Sequence, residues 1–180
     1  MFPKVLAVAL VVLSLSAPAF AADTENLQLF RDVQRQVLRY PHFTIFDSVQ
    51  AEVDDGVVTL VGKVTMPYKR NDIERRVAGI GGVRQVHNQL DVLPVSQFDD
   101  DLRVGISRAI YGNSNFWNYA SMVNPPIHII VEHGHVTLEG VVNSNVDRAL
   151  ARSLAGGFTA FSITNKLKTD AEVDAELEKL

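Results

Sequence analysis

The stretch from Val49 to Val64, Val-Gln-Ala-Glu-Val-Asp-Asp-Gly-Val-Val-Thr-Leu-Val-Gly-Lys-Val, returns 78 positions later as Ile127 to Val142. The second copy reads Ile-His-Ile-Ile-Val-Glu-His-Gly-His-Val-Thr-Leu-Glu-Gly-Val-Val, and Gly56/Gly134, Val58/Val136, Thr59/Thr137, Leu60/Leu138, Gly62/Gly140 and Val64/Val142 are identical. Each copy alternates apolar and polar residues around a two-residue loop, Asp55-Gly56 or His133-Gly134. Glycine in the second place of such a loop supplies the positive φ that a strand-compatible turn needs, so each copy reads as a β-hairpin. The turn sets the register: Val53 faces Val58, Ala51 faces Leu60 and Val49 faces Gly62, as Val131 faces Val136, Ile129 faces Leu138 and Ile127 faces Gly140. A slip of one residue would turn each apolar set to solvent. The opposite faces carry Glu52/Thr59 and Gln50/Val61, then Glu132/His135 and His128/Glu139, and are expected to be wet.

The elements around the hairpins repeat as well. Leu29, Val33, Val37 and Tyr40 recur at helical spacing, with Thr24 as a candidate cap and Pro41 as the stop. The connection Pro41–Phe46 is expected to plug the first core with Phe43 and Phe46. Pro67 opens a second helix, where its fixed φ suits the first turn, and Gly79-Ile-Gly-Gly82 ends it. Val86, Asn88, Leu90 and Val92 then alternate on one face of a third strand. After Leu93–Phe98, Leu102, Ile106 and Ile110 match Leu29, Val33 and Val37 at an offset of 73, so about five extra residues precede the second hairpin. Asn143–Leu154 reads as a helix and Phe161, Ile163, Asn165 and Leu167 as a strand. The expected fold is α+β, two tandem αββαβ units, each a three-stranded mixed sheet covered on one face by two helices. The segments are 24–93 and 98–169, a linker 94–97 and an acidic tail 170–180. Units of roughly 70 residues are marginal alone, so the two are expected to pack together.

Lys4 precedes an apolar run from Val5 to Leu15 and an Ala19-Phe20-Ala21 site of small-x-small form, so residues 1–21 read as a cleavable signal peptide. The run falls short of the roughly 20 residues a membrane span needs. Export to the periplasm of a bacterium follows. The chain has no cysteine, which excludes disulfides, thiol chemistry and a lipidated N-terminal Cys. Without Lys4, 16 basic residues stand against 21 acidic ones, a balance that argues against nucleic acid.

The two hairpin cores, Asp55-Gly-Val-Val-Thr-Leu-Val-Gly62 and His133-Gly-His-Val-Thr-Leu-Glu-Gly140, together with Val86-His-Asn-Gln-Leu-Asp-Val92 and Ile163-Thr-Asn-Lys-Leu167, resemble the BON domain (bacterial OsmY and nodulation domain) in tandem. The resemblance covers nearly the whole mature chain. It implies a periplasmic, non-enzymatic protein of envelope maintenance or osmotic-stress response, acting on phospholipid surfaces or envelope proteins.

The residues offer no catalytic set. No serine sits in a Gly-x-Ser-x-Gly elbow, and Gly79–Gly82 matches no phosphate loop. Asp99-Asp-Asp101 reads as a helix N-cap with first-turn acids. His133 and His135 flank a turn with no third ligand, so no metal and no cofactor is expected; cross-strand pairing of His135 with Glu132 and of His128 with Glu139 accounts for these side chains. Asp55, Gly56, Gly62, His133, Gly134 and Gly140 are assigned structural turn roles. Two surfaces are candidates for binding anionic phospholipid or an envelope protein, by peripheral contact. One is the inserted loop Gly112–Val123, where Phe116, Trp117, Tyr119 and Met122 form either a bilayer wedge or a lid on the second core; the lid suits Phe116 and Met122 better, while Trp117 and Tyr119 tolerate a half-wet position. The other is Lys69, Arg70, Arg75 and Arg76 on the second helix, where a solvated face with intrahelical pairing is the plainer reading. The alternative is a structural protein–protein adaptor that pairs through a sheet edge without lipid contact. A carbohydrate-binding module is a third.

Overall fold

The computed structural model describes residues 19–177. The leader assigned to residues 1–21 therefore lies for the most part outside the described residues. The first unit is α1 (Ala19–Leu38), β1 (Ser48–Asp54), β2 (Val57–Val64), α2 (Pro67–Ala78) and β3 (Gln85–Val92). The second is α3 (Gln97–Tyr111), the one-turn α4 (Trp117–Ala120), β4 (Ile127–Glu132), β5 (His135–Val142), α5 (Asn145–Ala155), and a third strand in two pieces, β6 (Ser162–Asn165) and β7 (Lys168–Thr169). The acidic tail forms α6 (Asp170–Leu177). Helix α1 starts before Thr24, which is therefore inside the helix and not its cap.

Each unit is the expected mixed sheet: β1 pairs antiparallel with β2 and β2 parallel with β3, and β4, β5 and β6 repeat this order. The hairpin registers agree pair for pair with the sequence reading, from Val53↔Val58 to Ile127↔Gly140. Asp55 and His133 lie at φ 44 and 51 and the following Gly56 and Gly134 at 75 and 76, the geometry of a type I′ turn. Val33, Val37, Tyr40, Val58, Leu60, Val64, Ile73, Val77 and Leu90 form the first core. Leu102, Ile106, Ile110, Ile127, Ile129, Val136, Leu138, Ala151 and Leu167 belong to the second, which is larger.

Recurrent polar clamps hold both units. Asn88 donates from Nδ2 to the Arg70 carbonyl on α2 (3.1 Å) and accepts from the Leu90 amide (3.1 Å). Asn165 does the same to the Arg148 carbonyl (2.9 Å) and the Leu167 amide (3.2 Å). The Asn-x-Leu pattern is thus a strand-to-helix staple. A second clamp fixes each turn: Asn26 accepts from the Asp55 amide at 3.1 Å, and Asp99, 73 positions on, accepts from the amides of His133 (2.9 Å) and Gly134 (2.7 Å). Asp99 is fully buried, and the N-cap of α3 is Ser96. The sequence reading of Asp99 as a capping residue is corrected accordingly.

The two units are locked together. Phe46, expected on the first core, packs against the second together with Ile45, while Phe43 stays with the first. The Ile129 amide donates to the Ile45 carbonyl at 2.7 Å. His128 donates from Nδ1 to the Asp47 carbonyl at 2.6 Å and its ring lies 5.4 Å from that of Phe43. Glu132 pairs with Lys63, and Ser48 Oγ donates to Glu139, so both carboxylates reach across to the first unit. His135 bonds Ser162 Oγ at 2.7 Å. The cross-strand pairs His135–Glu132 and His128–Glu139 are in register but their side chains bond elsewhere. The polar faces of the two sheets therefore confront each other across a cleft.

Candidate functional site

The inserted loop is built as a lid with one ring left outside. Asn113 caps a 3-10 turn, Ser114–Phe116, that leads directly into α4. Phe116 is fully buried in the second core, and Tyr119 beside it is also buried, with ring centroids 5.6 Å apart. The Tyr119 hydroxyl donates to Asp147 (2.8 Å) and accepts from the Asn143 amide (2.8 Å). Burial pushes its phenol up to about 12, with the Asp147 carboxylate acting in the same direction. Trp117 falls between these anchors on the outer side of the turn and is 72 % exposed, and Met122 and Val123 are exposed after it. Val146 on the first turn of α5, next to Asp147, is exposed as well. Phe116, a candidate contact residue for which the lid was the better reading, is thus an anchor in the core; Tyr119 is corrected from a half-wet contact residue to an anchor, and Met122 from lid to surface. Trp117 remains presented.

The basic set on α2 does not hold together. Lys69 is buried and its Nζ donates to Asp47 at 2.6 Å and to Thr65 Oγ1 at 2.7 Å. Asp47 is itself fully buried and accepts from the amides and hydroxyls of Thr44 (2.8 and 2.8 Å) and Thr65 (2.7 and 2.9 Å). A buried ammonium paired with a buried carboxylate reaches no headgroup, so Lys69 is corrected to a structural residue. Arg75 pairs with Asp72, whose carboxyl is held below the usual range chiefly by the Tyr40 hydroxyl. Arg76 lies over the Tyr40 ring at 4.9 Å. Arg70 is exposed.

The turn residues define rigid ends. Gly62 and Gly140 lie at φ 133 and 115, where a Cβ would meet the Ser48 carbonyl oxygen at 2.2 Å and the Pro126 oxygen at 1.8 Å. No group of three or more metal-ligating side chains converges among the described residues. No helix there is long and apolar enough to cross a membrane.

A residue the sequence reading passed over proves important at a sheet edge. The Tyr111 hydroxyl donates to the Ile127 carbonyl (2.6 Å) and accepts the Ile127 amide (3.0 Å), and Arg103 donates to the Val131 carbonyl at 2.5 Å. With Ile45 on the Ile129 amide and Asp99 on the His133 amide, most outward backbone groups of β4 are taken. An edge so covered offers little to an added strand.

No curated protein matches the chain. Among solved structures, it is similar to CdsD, a structural protein of the Type III secretion system of Chlamydia trachomatis, at 13% identity and TM-score 0.29, over 84% of this chain and 97% of that one. The C-terminal domain of CdsD matches at 11% identity and TM-score 0.29, over 78% of this chain and 96% of that one. The BON domain profile matches residues 28–94 and 118–171. The second match starts after α3, although α3 holds the place in its unit that α1 holds in the first. With the profile found once in each half, this chain belongs to the BON domain family.

Proposed function

We propose that the protein is a non-catalytic binding module of the bacterial envelope that docks on phospholipid surfaces, peripherally, through the knob led by Trp117. The observation that carries this reading is an indole exposed at 72 % between two buried rings. A large apolar ring held outward on a rigid turn has no packing role in the chain itself, and an amphipathic indole is favoured at headgroup depth. Met122 and Val123 extend the apolar contact, and of the candidate basic set on α2 Arg70 is the exposed cation left to meet anionic headgroups, Arg76 lying over the Tyr40 ring. With Lys69 withdrawn and Arg75 paired, the electrostatic share is small, at about 1 kcal/mol per free cation. Periplasmic location and a part in envelope maintenance under osmotic stress belong to the same proposal. They rest on the leader-like N-terminus and on the family.

The purified mature protein, co-sedimented with phosphatidylglycerol-containing vesicles, should pellet with them. Removing an indole that buries on the order of 100 Å² of apolar surface at about 25 cal/mol per Å² costs about 2.5 kcal/mol, so Trp117→Ala should bind at least tenfold more weakly. Raising salt should weaken binding only modestly. A protein that stays in the supernatant, or a Trp117→Ala variant that pellets as well as the parent, would transfer the case to the adaptor reading. That reading is already disfavoured at β4, whose edge is covered.

A further inference from the structure

Between the two sheets runs an open cleft of about 440 Å³, lined by both units. The first sheet presents two rows across its strands. Gln50, Val61 and Gln89 stand side by side, and next to them Ser48, Lys63 and Asp91. From the second sheet come Ile130, Glu132, His135, Thr137 and Glu139, with Lys166 at the far edge. Gln50, Gln89 and Asp91 are exposed to the cleft's solvent. The charges largely cancel: Lys63 pairs with Glu132 and Lys166 lies 3.5 Å from Glu139, which leaves Asp91. A cleft with that balance suits neither an anionic headgroup nor a polycation.

At its mouth the chemistry changes. The His135 ring meets that of Phe161 edge-on at 5.8 Å, and Phe161 lies 5.8 Å from Phe98. The sequence pattern places Phe161 on the core side of the third strand, yet it is 71 % exposed, because the strand begins only at Ser162 and the ring stands beyond the sheet's end against Gly134. An exposed aromatic platform opening into a charge-balanced trough of amides, hydroxyls and paired carboxylates matches one ligand chemistry well. A sugar offers an apolar C–H face for the ring and vicinal hydroxyls and acetamido groups for the trough.

We propose that this cleft binds a neutral glycan strand bearing hydroxyl and acetamido groups. Phe161 and Phe98 stack on one sugar at the mouth, and Gln50, Gln89 and Asp91 bond the next ones inside. The two glutamines flank Val61 on neighbouring strands, so their backbones stand about 10 Å apart at the usual strand spacing, and together they span more than one sugar unit. The site exists only where both units meet, which gives the lock through Ile45, Phe46 and His128 a functional purpose. It is separate from the Trp117 knob and stands whether or not that knob meets lipid.

The test is calorimetric and NMR titration of the full mature chain with a soluble β-1,4-linked N-acetylglucosamine tetramer. Saturable binding is expected, with shifts at the Gln89 side-chain amide and the Phe161 ring. Gln89→Ala and Phe161→Ala, both at exposed positions, should each weaken binding at least fivefold with unchanged thermal midpoints, and vesicle binding should be unaffected. Absence of shifts at millimolar sugar would overturn the proposal. So would binding that both variants retain in full, or shifts confined to residues outside the cleft.

Discussion

Replacing Asp47 by alanine separates a structural ion pair from a surface cation. The carboxylate is fully buried and accepts from five donors, Lys69 Nζ at 2.6 Å among them, while its own carbonyl accepts from His128. Asp47→Ala strands a buried ammonium and two backbone amides, those of Thr44 and Thr65. Breaking a buried pair from one side costs about 3–5 kcal/mol. For a chain of this size each kcal/mol moves the midpoint by roughly 2–4 °C, so the melting temperature should fall by about 6–20 °C. Lys69→Met should cost less, because the carboxylate keeps four neutral donors from Thr44 and Thr65. The double variant Asp47→Leu/Lys69→Met should recover part of the Asp47→Ala loss, since apolar replacement of a buried pair is often neutral. Urea denaturation at pH 7 measures all three. If Lys69→Met left stability within about 0.5 kcal/mol, as a surface substitution would, and abolished vesicle binding instead, the buried-pair argument would be refuted.

Three further outcomes follow from the same geometry. Gly140→Ala and Gly62→Ala place a Cβ at 1.8 and 2.2 Å from carbonyl oxygens at positive φ and should each destabilise strongly, whereas Gly81→Ala meets nothing within 4 Å and should be near neutral in thermal unfolding. Tyr119→Phe leaves the Asn143 amide without its acceptor and should cost about 1–3 kcal/mol, read by urea titration. Burial holds the His128 imidazole below its ordinary value. The unfolded chain then binds the proton more readily, so stability is full above about pH 6.5 and falls as pH drops from there towards the lowered value; His128→Gln should flatten that slope in denaturation curves taken between pH 7 and 5.

The hairpins were legible because a period of two and a glycine turn dictate register, and every pair from Val53↔Val58 to Ile127↔Gly140 agrees. Burial of Lys69 was also written in the sequence. Lys69, Ile73 and Val77 recur every four residues on the face of α2 that packs inward, as Asp147, Ala151 and Ala155 do on α5. Reading Lys69 with Arg70 as a basic run hid that stripe. Its partner Asp47 was not legible, since nothing local announces that a residue before a strand will meet one on a helix 22 positions later. Phe46 crossing to the second core and the confronting sheet faces are equally non-local: they depend on how two units dock, which a periodicity within either unit does not encode. The inserted loop lay between these cases. Its ring content marked it as special, while the partners of the Tyr119 hydroxyl, Asp147 and the Asn143 amide, lie 28 and 24 positions away and were not legible.

The most direct measurement is quenching of Trp117 by lipids brominated at defined depths, since this is the chain's single tryptophan and reports from the proposed contact alone. Its emission should shift to the blue on adding vesicles and be quenched most by bromines near the headgroups, with Tyr119 still buried. An unmoved, unquenched emission at saturating lipid would contradict the account.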